Sequence, residues 1–317
     1  MTDTLSTPCL SVVLATDACE TIRPVLSALR RQASAREIEP IIMLLGGSVT
    51  GVQLKDLNAF PHAKVVRSVK QLPEARAAGV RAASAPIVFI GETHSYPQPG
   101  WADALISAFN GPWAAVVPAI GNANPTGAAS WASYLFDYGA WGPNRHSGEI
   151  ADPLIYNTAY RREVLLSLGD GLSAALDPNE EALWPLLMSR GHRAALASDA
   201  RILHLNVGTF RALIREKFCA GVVLGTHRST RWSPLRRLLY FVASPLIPIV
   251  LFGRVLRGAR HWPSGTLPPS AIAGVLIAAL AKTMGEIIGY AGVKLPAAAA
   301  RLQDIEIRKV QYARRMG

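Results

Sequence analysis

The 317-residue chain predicts an α/β fold, strands alternating with helices in a parallel sheet, followed by a basic tail of apolar helices. Three observations predict it. Short apolar, β-rich runs alternate with segments of helical period between Leu10 and Pro118. After Thr226 the composition shifts to long apolar runs set among arginines. The chain as a whole is both apolar and basic: 50% hydrophobic residues, mean hydropathy +0.21, and 33 Lys and Arg against 22 Asp and Glu, for a net charge of +11.

Leu10–Ala15 is a short apolar run and predicts a buried strand. Ile22, Val25, Leu26 and Leu29 recur at helical spacing and predict a helix over Ile22–Arg31. Pro40–Leu45 predicts a second strand, stopped by Gly46-Gly47, and Lys64–Arg67 a weaker third. Glu74–Ala83 is rich in the helix formers Ala and Arg. Pro86–Ile90 predicts a fourth strand, with the polar stretch Gly91–Ser95 just past its end. Trp101–Phe109 reads as helix and Ala114–Pro118 as strand. Gly121–Asp152, rich in Gly, Ala, Asn and aromatics, predicts an irregular loop. Asn157–Leu168 opens a second helical region, Asn179–Arg190 predicts a helix, and Arg201–Leu205 a short strand. Strands joined by crossover helices bind ligands outside their carboxyl ends, which singles out Glu92 and His94.

The expected division is 1–226 for the α/β domain and 227–317 for the tail. Leu238–Gly253 is apolar but short and interrupted by Pro245 and Pro248. Ala271–Gly292 is apolar but carries Lys282 and Glu286. A full span needs roughly 20 apolar residues. Arginines flank both ends of the first segment, so neither side is marked as the one facing the cytoplasm. Helices lying in or dipping into one leaflet are expected rather than a two-span hairpin; a buried helical subdomain is the alternative. The polar N-terminus predicts no secretory leader. Three cysteines, Cys9, Cys19 and Cys219, form no metal-like pair, and their odd number argues against a disulfide framework. The charge points to an anionic partner. With no aromatic–basic RNA motif in view, no nucleic-acid partner is expected.

Five groups of residues carry candidate chemistry. Glu92-Thr93-His94 offers a carboxylate and an imidazole at a strand end, suited to Mn²⁺, Mg²⁺ or Zn²⁺; the bland reading is loop polarity. His204, in an apolar strand-like stretch, is either a core histidine or a third ligand. Glu180 and Glu181 stand where a helix is expected to start, as caps or as a general base. Arg76 is either a solvated helix-face residue or a phosphate ligand. Arg228-Ser-Thr-Arg231-Trp232 precedes the apolar segments, where its arginines can meet phosphates and its indole a membrane interface.

In order along the chain, these pieces resemble the family 2 glycosyltransferases with a GT-A fold. The resemblance runs from about Leu10 to Asn206. Ser11-Val-Val-Leu-Ala-Thr-Asp17, then Glu20, is similar to the family's first strand and helix. Glu74-Ala-Arg-Ala-Ala-Gly-Val80 is similar to its "ARNxG" helix. Pro86–Pro97, with Pro99-Gly-Trp101, is similar to the strand bearing Asp-x-Asp and the segment after it. Asn157-Thr-Ala-Tyr-Arg-Arg162 and Leu168-Gly169 are similar to its acceptor segment.

The resemblance implies an inverting transfer of sugar from a nucleotide-sugar donor, and the apolar segments and basic charge point to a lipid or lipid-linked acceptor, or a glycan, at the cytoplasmic membrane face. It implies a divalent metal, Mn²⁺ or Mg²⁺, on Glu92, His94 and His204. Glu180, or Glu181 in the next register, is implied as the base. Thr16, Asp17, Glu20 and Arg76 are implied at the donor, and Arg228, Arg231 and Trp232 match a motif near the acceptor end. The chain departs from the pattern where Glu-Thr-His replaces Asp-x-Asp, where Asn179-Glu180 replaces Glu-Asp, and where Gly46-Gly47-Ser48 replaces a base-contacting Asp. These departures leave a second expectation, a non-catalytic protein on the same scaffold that binds a nucleotide sugar or a partner enzyme.

Overall fold

The computed structural model describes residues 7–17, 19–46, 57–68, 71–262, 267–293 and 295–313. Gly47 and Ser48 lie outside them. The described residues form two compact units. One holds residues up to Gly121 together with Arg145–Leu203; the other holds Asn122–Asn144 and the chain from His204 onward. The boundary expected after residue 226 falls inside a continuous helix, Phe210–Arg231.

The first unit is built on a nine-stranded mixed sheet. Its strands are β1 (Leu10–Thr16), β2 (Ile38–Leu45), β3 (Lys64–Ser68), β4 (Ile87–Ile90), β5 (Ser95–Pro97), β6 (Ala115–Asn122), β7 (Gly148–Ile150), β8 (Thr158–Arg161) and β9 (Ala194–His204). The order is β3-β2-β1-β4-β8-β6-β9-β5, with β7 on β9. The expected parallel sheet is present only in part. β3, β2, β1 and β4 are parallel, but β8 runs antiparallel between β4 and β6. β1 and β2 are buried at every position, as befits central strands covered on both faces. Their apolar runs therefore show no alternation.

Helices α1 (Cys19–Arg30), α2 (Leu72–Ala82) and α3 (Trp101–Ala108) follow β1, β3 and β5. α2 packs on β1 through Gly79, where any Cβ would collide with Val13. Glu39, fully buried in β2, accepts from Ser11 (2.5 Å) and from the Ser84 backbone (2.8 Å) and pairs with Lys64 (2.6 Å). That carboxylate pins the turn between α2 and β4.

Three expectations require correction. Asn157–Leu168 does not open as helix: Thr158–Arg161 is strand β8, and α5 (Arg162–Leu166) follows it. A four-residue buried strand is too short to show a period. Gly121–Asp152 is not wholly irregular, for it contains α4 (Ala128–Asp137) and β7. α4 buries Ala129, Ala132, Tyr134 and Leu135 together with two serines, so its face is marked by small size rather than by large apolar residues. After α6 (Leu172–Ala175), the helix expected from Asn179 begins only at Leu183, as α7 (Leu183–Ser189). Pro185 explains this. It is tolerated in a first turn, where no amide donor is needed, but a helix started at Asn179 would require that donor.

The second unit contains α4 and α8 (Phe210–Arg231), then α9 (Pro234–Ala243), α10 (Ile247–Ala259), α11 (Pro269–Tyr290), α12 (Pro296–Ile307) and α13 (Lys309–Ala313). α8 and α11 cross at close range through paired glycines, Gly221 and Gly225 against Gly285 and Gly289. A Cβ at any of the four would strike backbone of the other helix. Glu216 is buried on α8, 2.5 Å from Lys309, while its neighbour Lys217 reaches Asp137 of α4 at 2.5 Å. Two stretches are long and apolar enough to cross a membrane, Pro234–Ala259 and Pro269–Tyr290. The first is broken between α9 and α10 at Ser244–Leu246, where Pro245 interrupts the helix. The two charges within α11 pair with each other, Lys282 to Glu286 at 2.5 Å.

Candidate metal centre

β1 and β4 are adjacent and parallel, with Val13 opposite Ile90. From β1 the chain steps outward to β2 and β3, then returns to β4 on the other side of β1. The strand order thus reverses between β1 and β4, the place where open α/β sheets leave a crevice for ligands. Thr16 and Asp17 end β1 at this edge, and Gly91–His94 follow β4, with Gly91 N bonded to Val13 O at 3.0 Å.

The division between the two units falls within the last step of β9, so His204 closes a strand that the sheet carries. The structure brings Glu92, His94 and His204 together. One ligand atom from each lies within 4.8 Å of the others, and all three residues are buried. Glu92 Oε2 is 3.6 Å from His94 Nε2. Ligands about 2.0–2.2 Å from one ion sit up to ~4.4 Å apart across it, so shifts of a few tenths of an ångström complete a one-carboxylate, two-imidazole set. That donor chemistry fits Mn²⁺ or Zn²⁺, and Mg²⁺ less well because it favours oxygen.

Residues behind the ligands orient them. Asn157 Nδ2 donates to Glu92 Oε2 at 2.6 Å, and Ser95 Oγ approaches the same oxygen at 3.4 Å. Asn157 holds a left-handed backbone, φ 54°, which Asn tolerates better than most residues. His204 Nδ1 is 3.0 Å from Asn206 Oδ1. Asn206 Nδ2 donates to His204 O (2.9 Å) and Asn122 Oδ1 (3.0 Å), which identifies Oδ1 as the acceptor. The Nδ1 proton therefore points at Asn206, and Nε2 carries the lone pair that a cation needs. Asn124 fixes Asn206 in turn, taking its backbone N–H (2.9 Å) and donating to its carbonyl (2.8 Å). The Tyr138 ring covers the imidazole at 4.1 Å between centroids.

The remaining candidates are placed as follows. Thr16 is buried and bonded to Thr21 at 2.6 Å, Asp17 is half-buried at the β1 end, and Glu20 is exposed in the first turn of α1. Arg76 is not a solvated helix-face residue: it is buried, with its guanidinium 3.4 Å from the centre of the Tyr156 ring. Glu180 and Glu181 are not in the first turn of a helix. Glu180 lies in a turn built by Asp177, whose Oδ1 accepts from Asn179 N (2.9 Å) and Nδ2 (2.8 Å), and Glu181 follows that turn with φ 50°. Arg228 faces Glu286 (3.8 Å) and the Tyr290 hydroxyl (3.3 Å) in the second unit. Trp232 stacks on Tyr290 at 5.7 Å and lies under Arg236 at 4.3 Å, while Arg231 is exposed. In the stretch similar to the acceptor segment, Arg161 holds three carbonyls, those of Trp113, Phe109 and Gly111, at 2.8–3.0 Å.

Sequence reasoning passed over Asn122, Asn124 and Asn206, and gave Asn157 no part in the site. The available signal was an Asn two residues after His204 and an Asn-x-Asn at the end of an apolar strand. Tyr156, beside a motif asparagine, carried no signal of its stacking role.

No family model and no curated protein matches the chain. Among solved structures it is similar to a mannosyltransferase, PcManGT from Pyrobaculum calidifontis in complex with GDP-Man and Mn²⁺. The identity is 17% and the TM-score 0.42, over 94% of this chain and 79% of that one.

Proposed function

We propose that the chain is a metal-dependent glycosyltransferase of the GT-A, family 2 type, which moves a sugar from a nucleotide diphosphate donor to a hydroxyl acceptor with inversion. The observation that carries this reading is the Glu92–His94–His204 cluster at the β1/β4 switch point. A divalent cation held by Glu92, His94 and His204 would supply positive charge to a diphosphate leaving group. The chain's own residues do the rest. Thr16, Asp17 and Glu20 line the β1 end, where nucleotide recognition belongs in this architecture. Arg76, held against Tyr156, contributes a second positive charge to the donor. Glu180 or Glu181 takes the acceptor proton as its oxygen forms the new bond to the anomeric carbon, and the bond from that carbon to the diphosphate breaks.

The acceptor proposed is a lipid or lipid-linked glycan at the cytoplasmic face of a membrane. α9 and α10 support this by exposing Leu235, Leu239, Val242 and Ile249, each more than half exposed. Such a face suits a membrane interface. Arg228, Arg231 and Trp232, immediately before it, belong to the acceptor end in this reading.

The test is thermal melting of the purified chain against a panel of nucleotide sugars, with and without Mn²⁺. A ligand at about 100 times its Kd raises stability by roughly 2.7 kcal/mol. The expected result is one donor class that stabilises only with the cation, followed by turnover that Glu180→Gln or Glu181→Gln abolishes. Binding without turnover across acceptors favours the non-catalytic reading, which the Glu-Thr-His departure supports. No stabilisation by any donor sinks the transferase reading and leaves only a scaffold that binds a partner enzyme.

A further inference from the structure

On the second unit, α8 and the start of α12 border a groove of about 770 Å³. Its apolar wall includes Ile214, Phe218, Leu295 and Ala298, and Arg211, Arg215 and Arg301 line it as well. Arg211 and Arg215 are one helical turn apart on α8, and Arg301 stands on α12. Several basic side chains elsewhere in this unit are paired: Lys217 with Asp137, Lys309 with Glu216, Lys282 with Glu286 and Arg308 with Asp304. Among the described residues no carboxylate forms an ion pair with any of the three groove arginines. Three like charges around one opening repel one another, and an anion seated between them removes that repulsion.

We propose that this groove binds one anionic phospholipid. Its phosphate lies among the three guanidiniums, whose planar forks suit phosphate oxygens. One acyl chain runs along Ile214, Phe218, Leu295 and Ala298. The charge selects an anion over a neutral lipid. The apolar wall selects an amphiphile over a free phosphate ion. The volume falls in the range of about 300–1,000 Å³ typical of single-ligand sites. Ile214 is 44% exposed and Leu295 40%, so the chain enters without unfolding either helix. The proposal does not depend on the transfer chemistry, since none of these residues belongs to the metal cluster.

The test is calorimetric titration of the full chain with lysophosphatidylglycerol below its micelle concentration, beside lysophosphatidylcholine and inorganic phosphate. One-to-one binding of the anionic lysolipid is expected, with both comparison ligands at least tenfold weaker. Arg211→Gln/Arg215→Gln/Arg301→Gln should lose roughly 100-fold in affinity. Arg254→Gln/Arg257→Gln on α10 should lose little. Ile214→Glu, at an exposed position, is a second probe: its carboxylate competes for the arginines and should abolish binding even if the triple variant does not fold. Equal binding of the choline lysolipid or of phosphate overturns the proposal. So does no binding at all, or unchanged binding by the folded variants.

Discussion

His204 Nδ1 lies 3.0 Å from Asn206 Oδ1, so one asparagine decides which nitrogen of the third candidate ligand faces the cluster. Outer partners of this kind are worth about 10–100-fold in metal affinity. Asn206→Leu should therefore weaken Mn²⁺ binding by that factor in a calorimetric titration. Unchanged affinity would detach Asn206 from the site.

Asn157 combines a left-handed backbone with a 2.6 Å bond to Glu92. Asn157→Gly keeps the backbone and loses only the bond; Asn157→Ala loses the bond and adds backbone strain. Removal of a partner from a buried acceptor costs about 1–3 kcal/mol, and the left-handed turn adds ~1–2 kcal/mol for Ala. Urea denaturation should rank wild type above Gly, and Gly above Ala. The reverse order for Gly and Ala would mean that the backbone relaxes.

Glu216 is fully buried in the second unit. Burial alone raises its pKa, but Lys217 and Lys309 reverse that, and the net result is a carboxyl well below its ordinary value of 4.5. Burial lowers the Lys309 pKa, and Glu216 and Glu306 more than offset this, leaving it above 10.5. The lowered carboxyl stabilises the fold above pH 4.5, and that contribution is lost as the pH falls through its folded value. The raised ammonium stabilises below pH 10.5 and fails as the pH climbs through its own folded value. Stability attributable to this network should hold level between about 4.5 and 10.5. Glu216→Gln leaves two ammonium groups buried and should cost about 3–5 kcal/mol at pH 7. A loss under 1 kcal/mol in chemical denaturation would mean that water reaches the lysines.

Gly285→Ala should destabilise by about 1–3 kcal/mol or more, because its Cβ meets the Phe218 carbonyl and the Val222 amide. Gly253→Ala is the control: it lies inside α10 with open space around it, and Ala there should be neutral or stabilising by up to ~1 kcal/mol. Thermal melts of the two variants should move apart. If both move together, the crossing is looser than described.

Much of the first unit was legible in the sequence, because β1, β2 and β4 are central strands and their burial demands unbroken apolar runs. β8 and α4 were not, since one is too short for a period and the other packs through Ala and Ser. Glu92 and His94 could be read from a strand end. His204 needed the resemblance, since an imidazole in an apolar strand is ordinarily a core residue. Asn157 and Asn206 were invisible as partners, because a carboxamide's role depends on which side chain the fold sets opposite it. Pro185 stands in the sequence and by itself excludes a helix that begins at Asn179.

The glycine seam between α8 and α11 restricts how these two rods can move. Peptide groups sit against peptide groups at four positions, and the residues between the glycines are Val222, Val223 and Leu224 on one side and Glu286, Ile287 and Ile288 on the other. A slide along the axis, or a turn about it, would drive one of these larger side chains into a gap sized for hydrogen. Piston and screw motions are thereby closed off, and the pair can only tilt or bend as a single beam.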